Sequence, residues 1–185
     1  NGEQVVREFA NKFHIPVVST MMGIGVMPND DDLYMGMLGT NGKPHANYAV
    51  HECDVLVLVG ARVADRAVVK PYKLERRNTT IVHIDVDPAE IGKNLGTTVP
   101  LVGDVHVIFE NLLQYEIPGD YTAWNEELAE KKAAYVDRRH FNPDFVNPCR
   151  FVQTLSSKMN DDAIYVADVG QNQLWSADNY VMKHG

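Results

Sequence analysis

Two short apolar runs decide most of what this chain can become. Asp54-Val55-Leu56-Val57-Leu58-Val59 ends at Gly60, and Ala61-Arg62 and Asp65-Arg66 follow at once. Some fifteen residues later, Ile81-Val82-His83-Ile84-Asp85-Val86-Asp87-Pro88 repeats the pattern and ends in acids. Apolar runs this short, bounded by turn residues, fit strands buried on both faces of a parallel sheet. Such sheets build their ligand sites just beyond the carboxyl ends of their strands. Here those ends carry a glycine, guanidinium groups and a carboxylate. That set suits a nucleotide.

The bulk properties narrow the partners. With 185 residues there is room for one domain, or one domain and a piece of another. A formal net charge of -8 argues against nucleic acid or an anionic membrane, because phosphate binding needs a basic face. A small anion held by a few placed arginines remains compatible with it. No apolar stretch approaches the roughly 20 residues that span a bilayer. The first residues, Asn1-Gly2-Glu3-Gln4, lack a basic leader region, so a cytoplasmic protein is expected. Cys53 and Cys149 lie far apart in sequence and read as reduced, mostly buried thiols.

Along the chain, residues 3–13 read as an amphipathic helix with Val5, Val6, Phe9 and Phe13 on one face. Strands are expected at 17–20, 54–59, 80–85, 99–102 and 163–168. The proline of the fourth suits a sheet edge or a strand start. Helices are expected at 44–52, after Pro88, after Gly103-Asp104, at 122–140, at 149–159 and from about 171. Residues 21–28 and the glycine-punctuated 37–42 read as loops, and the acidic run 29–32 as a solvated surface.

Several of these segments carry chemistry. Gly60 lets a ligand approach backbone without a Cβ in the way. Arg62 and Arg66 present planar donor forks suited to a diphosphate, although two surface arginines after a turn glycine is an equal reading. Asp85 stands 25 positions after Gly60, at the end of the next strand, where nucleotide-binding sheets place an acid for ribose hydroxyls. Asp87 reads instead as an N-cap before Pro88. Gly23-Ile24-Gly25 is followed by Pro28 where a dinucleotide fingerprint needs a third glycine. The Asp168-to-Gln173 stretch passes from strand to helix and offers unpaired N–H groups, or merely turns. The histidines do not cluster in a metal-binding spacing.

Taken together, the segments resemble one family. Ile15 to Gly25, Met37-Leu38-Gly39, Ala46 to Val50, Gly60-Ala61-Arg62 with Asp65-Arg66, His83 to Asn94, and Val169-Gly170-Gln171 with Gln173 and Trp175 are similar to the middle of acetolactate synthase large subunits. These are thiamine-diphosphate enzymes, and the pieces occur in the family's order over most of the chain.

The resemblance implies an α/β fold: a Rossmann-like, doubly wound parallel sheet of the NAD/FAD-binding type that lacks its first strand. The first elements of a thiamine-diphosphate-binding domain would follow. The expected division is a central nucleotide-binding domain over 1–120, a helical linker over 121–147 and the start of the last domain over 148–185. FAD contacts carry over to Thr20, Met21, Met22, Leu38, Gly39, Gly60, Ala61, Arg62 and Arg66. Asp85, Val86, Asp104 and Val105 would serve the ribose and adenine side or the flavin's outer edge. Val169, Gly170, Gln171 and Asn172 would approach thiamine diphosphate. The family's flavin takes no part in net redox chemistry.

The family's activating glutamate and its Gly-Asp-Gly ligands for Mg²⁺ have no counterpart in these residues, so the piece alone is expected to be inactive. The parent would decarboxylate pyruvate and join the remainder to a second 2-oxo acid, pyruvate or 2-oxobutyrate, for branched-chain amino acids. A homodimer or homotetramer is expected, and the family admits a regulatory small subunit. The sequence departs from the family pattern at Ala64, at Thr40-Asn41 and at Asn172. The first two leave open a related carboligase or decarboxylase, such as glyoxylate carboligase or sulfoacetaldehyde acetyltransferase, that binds ADP or nothing here, while Asn172 can still donate a hydrogen bond; a non-catalytic nucleotide-binding module is the alternative of another class. The absent first strand would leave a slot between the strands at Val17 and Val55, expected to be filled by Ile164 to Val169 or by a neighbouring molecule.

Overall fold

The computed structural model describes residues 2–63, 79–137 and 139–182. A three-stranded parallel sheet organises the middle of the chain. It comprises β3 (Val55–Val59), β4 (Thr80–Asp85) and β5 (Val99–Val102), in that order. The register runs Val55↔Thr80 to Val59↔Ile84 and Val82↔Val99 to Asp85↔Val102 without a break. β5 is an edge strand, which is where its Pro100 costs no ladder bond.

Side chains of this sheet divide by parity between two cores, as a pleated strand requires. Leu56, Leu58 and Ile81 face one way, with Val50 of α2 (Pro44–Glu52), Val63 and Leu95. Ile84, with Val59, Val82 and Leu101, faces the other way, against Val5, Phe9 and Phe13 of α1 (Gly2–Phe13) and Phe109 of α3 (Val105–Leu112). The phenylalanines meet edge to face, Phe9–Phe13 at 4.9 Å and Phe9–Phe109 at 5.0 Å between centroids. Helices therefore cover both faces of the sheet, the doubly wound arrangement.

Local chemistry explains the boundaries. α1 stops in a left-handed turn at His14 (φ 52°), with the Ile15 N–H donating to the Ala10 carbonyl and Pro16 next. α2 starts at Pro44, whose missing N–H is no loss in a first turn. Asp104 caps α3, its Oδ1 accepting from the N–H groups of His106 (2.8 Å) and Val107 (3.3 Å).

The first strand pair lies apart from that sheet. β1 (Val17–Ser19) runs parallel to β2 (Tyr34–Met37), a strand the sequence does not announce. Val17 faces Tyr34 and Ser19 faces Met37, so β2 carries one extra residue, and Gly36 at φ 89° lies in that bulge. Met35 and the alanines of α2 enclose Leu128 of α4 (Thr122–Ala133), which has no exposed surface. Within the stretch expected as a linker, α4 thus joins this core. It ends at Ala133, not near 140. The segment after Pro88 forms successive turns and no helix, because Gly92 takes φ 70° and interrupts it.

The last unit holds α5 (Pro148–Lys158), capped by Asn147, and α6 (Gln171–Asn179). Residues 163–168 are extended but belong to no ladder, which corrects the expected strand. Ile164 and Val166 are 89% and 85% exposed, so this segment does not fill a slot beside β3. An apolar run is a local property, whereas a strand also needs a partner edge. Among the described residues, β3 pairs with β4 alone and not with β1. No helix among them is long and apolar enough to cross a membrane.

Candidate functional site

The unbroken register brings the ends of β3, β4 and β5 level. The Gly60 N–H donates to the Ile84 carbonyl at 2.8 Å, and the Gly103 N–H to the Asp85 carbonyl at 3.0 Å. Gly60, Asp85 and Asp104 therefore stand at adjacent strand tips. Gly60 adopts φ 56°, and a Cβ built there would meet nothing within 4 Å among the described residues, which leave the space before this tip open. Asp85 is buried, with Oδ1 accepting from the Asp87 N–H at 2.9 Å. Val86 beside it is exposed.

The loop after β3 is fixed at its base. Asn94 Nδ2 donates to the Arg62 carbonyl at 2.6 Å, joining this loop to the one after β4. Among the described residues the exposed Arg62 side chain meets Glu90, at 3.7 Å. Ala61 packs at the margin of the Leu56–Leu58–Ile81 core. Buried Val63 follows with φ 46°, a left-handed conformation that a β-branched residue adopts only under constraint. Arg66 lies outside the described residues.

The tips of β1 and β2 carry the next group. Thr20 leads into a single 3-10 turn, Met21–Gly23, and Met22 is fully presented to solvent. The Leu38 N–H donates to the Ser19 carbonyl at 2.9 Å, and the Leu38 side chain packs on the same core as Ala61. Gly39 (φ 108°) has both backbone groups held by one side chain: Asn47 Oδ1 accepts its N–H at 2.8 Å, and Asn47 Nδ2 donates to its carbonyl at 2.9 Å. At Gly42 a Cβ would fall 2.3 Å from the Met37 carbonyl oxygen, so only glycine closes this turn.

Val169, Gly170, Gln171 and Asn172 form the entry to α6. Gly170 takes φ 129° with open space where a Cβ would be, and no side chain caps the helix. Gln171 borders a cavity of about 890 Å³ between α2, α4 and α6, with Lys43, His45, Tyr135, Arg139, Trp175 and Asp178 among its walls. Gly60, Arg62 and Asp85 do not line it. Strand tips and α6 entry are thus two places, and the expected site residues divide between them.

Charge in the cavity wall is strongly paired. Lys43 Nζ bonds Asp178 Oδ1, while Arg139 bonds Asp178 Oδ2 at 2.6 Å and, through Nε, both oxygens of Asp137 at 2.9 Å. The Arg139 guanidinium pulls the Asp137 carboxyl down to about 2, and Asp137 in turn raises Arg139. Burial, then the charges of Lys43 and Lys132, lower His45 below the ordinary imidazole range. Its Nδ1 has no partner. Sequence reasoning passed over Lys43, His45, Tyr135, Arg139 and Asp178, whose positions give no spacing signal. No group of three or more His, Cys, Asp or Glu among the described residues is placed to hold a metal ion.

Residues 1–112 match the family model described as the thiamine pyrophosphate enzyme, central domain. The probable acetolactate synthase large subunit of Methanocaldococcus jannaschii is 38% identical over 98% of this chain and 32% of its own length. The acetolactate synthase large subunit of Lactococcus lactis is 34% identical over 97% of the chain and 31% of its own. For the chloroplastic acetolactate synthase 1 of Nicotiana tabacum the figures are 36%, 95% and 27%. The chain spans about a third of the length of these curated relatives.

Proposed function

This chain belongs to the thiamine pyrophosphate enzymes, over their central domain, and on that premise we propose that it is the nucleotide-holding part of an acetolactate synthase large subunit. One observation carries the reading: the level tips of β3 and β4, with open space before Gly60 and the Asp85 carboxylate on the next strand. Such a crevice accepts an extended dinucleotide without displacing a side chain. FAD is the group we assign to it. Gly60, Ala61 and Arg62 take the diphosphate, where the weakly held guanidinium supplies a planar fork. Asp85, Val86, Asp104 and Val105 meet the ribose and adenine side or the flavin's outer edge. Thr20, Met21, Met22, Leu38 and Gly39 hold the remainder. These residues clamp the cofactor and leave its redox chemistry unused.

Val169, Gly170, Gln171 and Asn172 approach thiamine diphosphate, whose Mg²⁺ ligands we place outside these residues. When bound, thiamine diphosphate supplies the electron sink for decarboxylating one 2-oxo acid and joining the remainder to a second. This chain's own residues bind and orient. The whole enzyme would be a cytoplasmic homodimer or homotetramer that takes pyruvate with pyruvate or 2-oxobutyrate, with a regulatory small subunit as its partner.

Calorimetric titration with FAD, ADP and NAD tests the assignment. FAD should bind, and Gly60→Val, which fills the open space before the tip, should weaken it about tenfold or more. ADP binding with FAD excluded points to a related carboligase. Failure of all three removes the reading.

A further inference from the structure

We propose that Asp178 anchors an electrostatic clasp that fixes α6 against the start of α2 and against Arg139, and so sets where the uncapped entry of α6 stands. The two oxygens of Asp178 serve different cations, Oδ1 Lys43 and Oδ2 Arg139. The Asp178 side chain is 9% exposed and that of Lys43 23%, whereas Arg139, at 37%, keeps contact with solvent. The three residues come from separate segments and meet only through the carboxylate.

Lys43 shows why the carboxylate matters. It occupies the N-cap of α2 without capping it, and a cation at that end opposes the helix dipole. Its stem crosses β2 at the bulge, 3.2 Å from the place a Cβ would take at Gly36. A charge threaded there needs an anion beside it, and Asp178 is that anion. Removing the carboxylate strands the Lys43 ammonium in a partly enclosed setting.

A second tie holds the same end of the unit. The Asn29 N–H donates to the Met182 carbonyl at 3.1 Å, and the Met182 N–H donates to Asn29 Oδ1 at 2.7 Å. The carboxyl end of α6 is therefore held at two points. Its entry has an exposed Val169, an open Gly170 and a long 3.5 Å bond from the Leu174 N–H to the Gly170 carbonyl. The clasp adds to the Tyr165–Ser176 hydroxyl pair and the Gln153–Asn179 amide contact in holding a helix whose entry has no side-chain cap. The consequence for thiamine diphosphate rests on the reading proposed above; the clasp does not.

Hydrogen exchange by mass spectrometry on the whole protein tests it. In Asp178→Asn, amides of residues 171–179 should exchange about tenfold faster or more, while those of β3 to β5 keep their rates. Asp178→Glu should recover part of the protection. In the wild type, raising salt to about 1 M should loosen α6 in the same local way, and Asp178→Asn should no longer respond. Unchanged α6 exchange in Asp178→Asn, or equal acceleration across β3 to β5, overturns the clasp. Should that variant not fold, absence of a local salt response in the wild type overturns it. Thiamine diphosphate with Mg²⁺ should protect residues 171–174; a loosened α6 without that protection supports the clasp and removes the cofactor reading.

Discussion

The sheet of β3 to β5 and the closing unit from Pro148 to Met182 both bury apolar side chains, Val152 and Tyr180 in the latter, but differ in how much polar contact adds to that burial. The sheet is pressed between two apolar layers, with Ile84 fully buried and Phe9, Phe13 and Phe109 locked edge to face. The closing unit presents Ile164, Val166 and Val169 to solvent and is tied by polar contacts through Asp178, Asn29 and the Tyr165–Ser176 hydroxyl pair. Apolar burial is non-directional and tolerates small displacements. Paired charges and hydrogen bonds specify one position and fail when a single partner is lost. The tips of β3 to β5 thus stand on a robust base, and the α6 entry on a specific one.

The largest break is expected on the apolar side. Phe9→Ala empties the junction of α1, β4 and α3 and should cost about 3–5 kcal/mol in urea unfolding. A cost below about 1 kcal/mol would show that this layer does not carry the sheet. A smaller effect should come from acid, at the wall between the two regions. His45 is held neutral by burial and by Lys43 and Lys132. Its folded pKa lies below the unfolded 6.5, so the unfolded chain binds the extra proton more readily. Stability from this group is complete above that value and declines as pH falls beneath it. Denaturant midpoints measured across this interval should slope downward toward acid, and His45→Gln should flatten the slope. The smallest effect is expected at Val166→Asp, within about 0.5 kcal/mol, because that side chain touches water and no ladder. A marked loss there would mean that 163–168 is paired in solution.

What the sequence disclosed follows the same division. β3 and β4 were legible because continuous apolar runs ending in Gly60 and Asp85 carry their own punctuation. The adjacency of those two tips followed from the short crossover between parallel strands. β2 was hidden, since Tyr34-Met35-Gly36-Met37 shows neither alternation nor β-branching and its glycine bulge resembles a turn. Residues 163–168 misled in the other direction, their apolar run being continuous and their partner absent among the described residues. Lys43, Arg139 and Asp178 were invisible as a group, because each is one ordinary charge until folding brings three segments together.

Asn47 has a mechanical consequence. By answering both backbone groups of Gly39, its amide plays the part of a neighbouring strand for one residue of loop. The loop is therefore geared to α2: Gly39 swings away from the helix only by breaking both bonds to Asn47 or by carrying the helix along. A ligand pressing on Leu38 and Gly39 would push on Val50 as well, and through it on the layer beneath Leu56 and Leu58. The crevice floor and its rim then move as one stiff piece, and a guest there is sensed by the sheet.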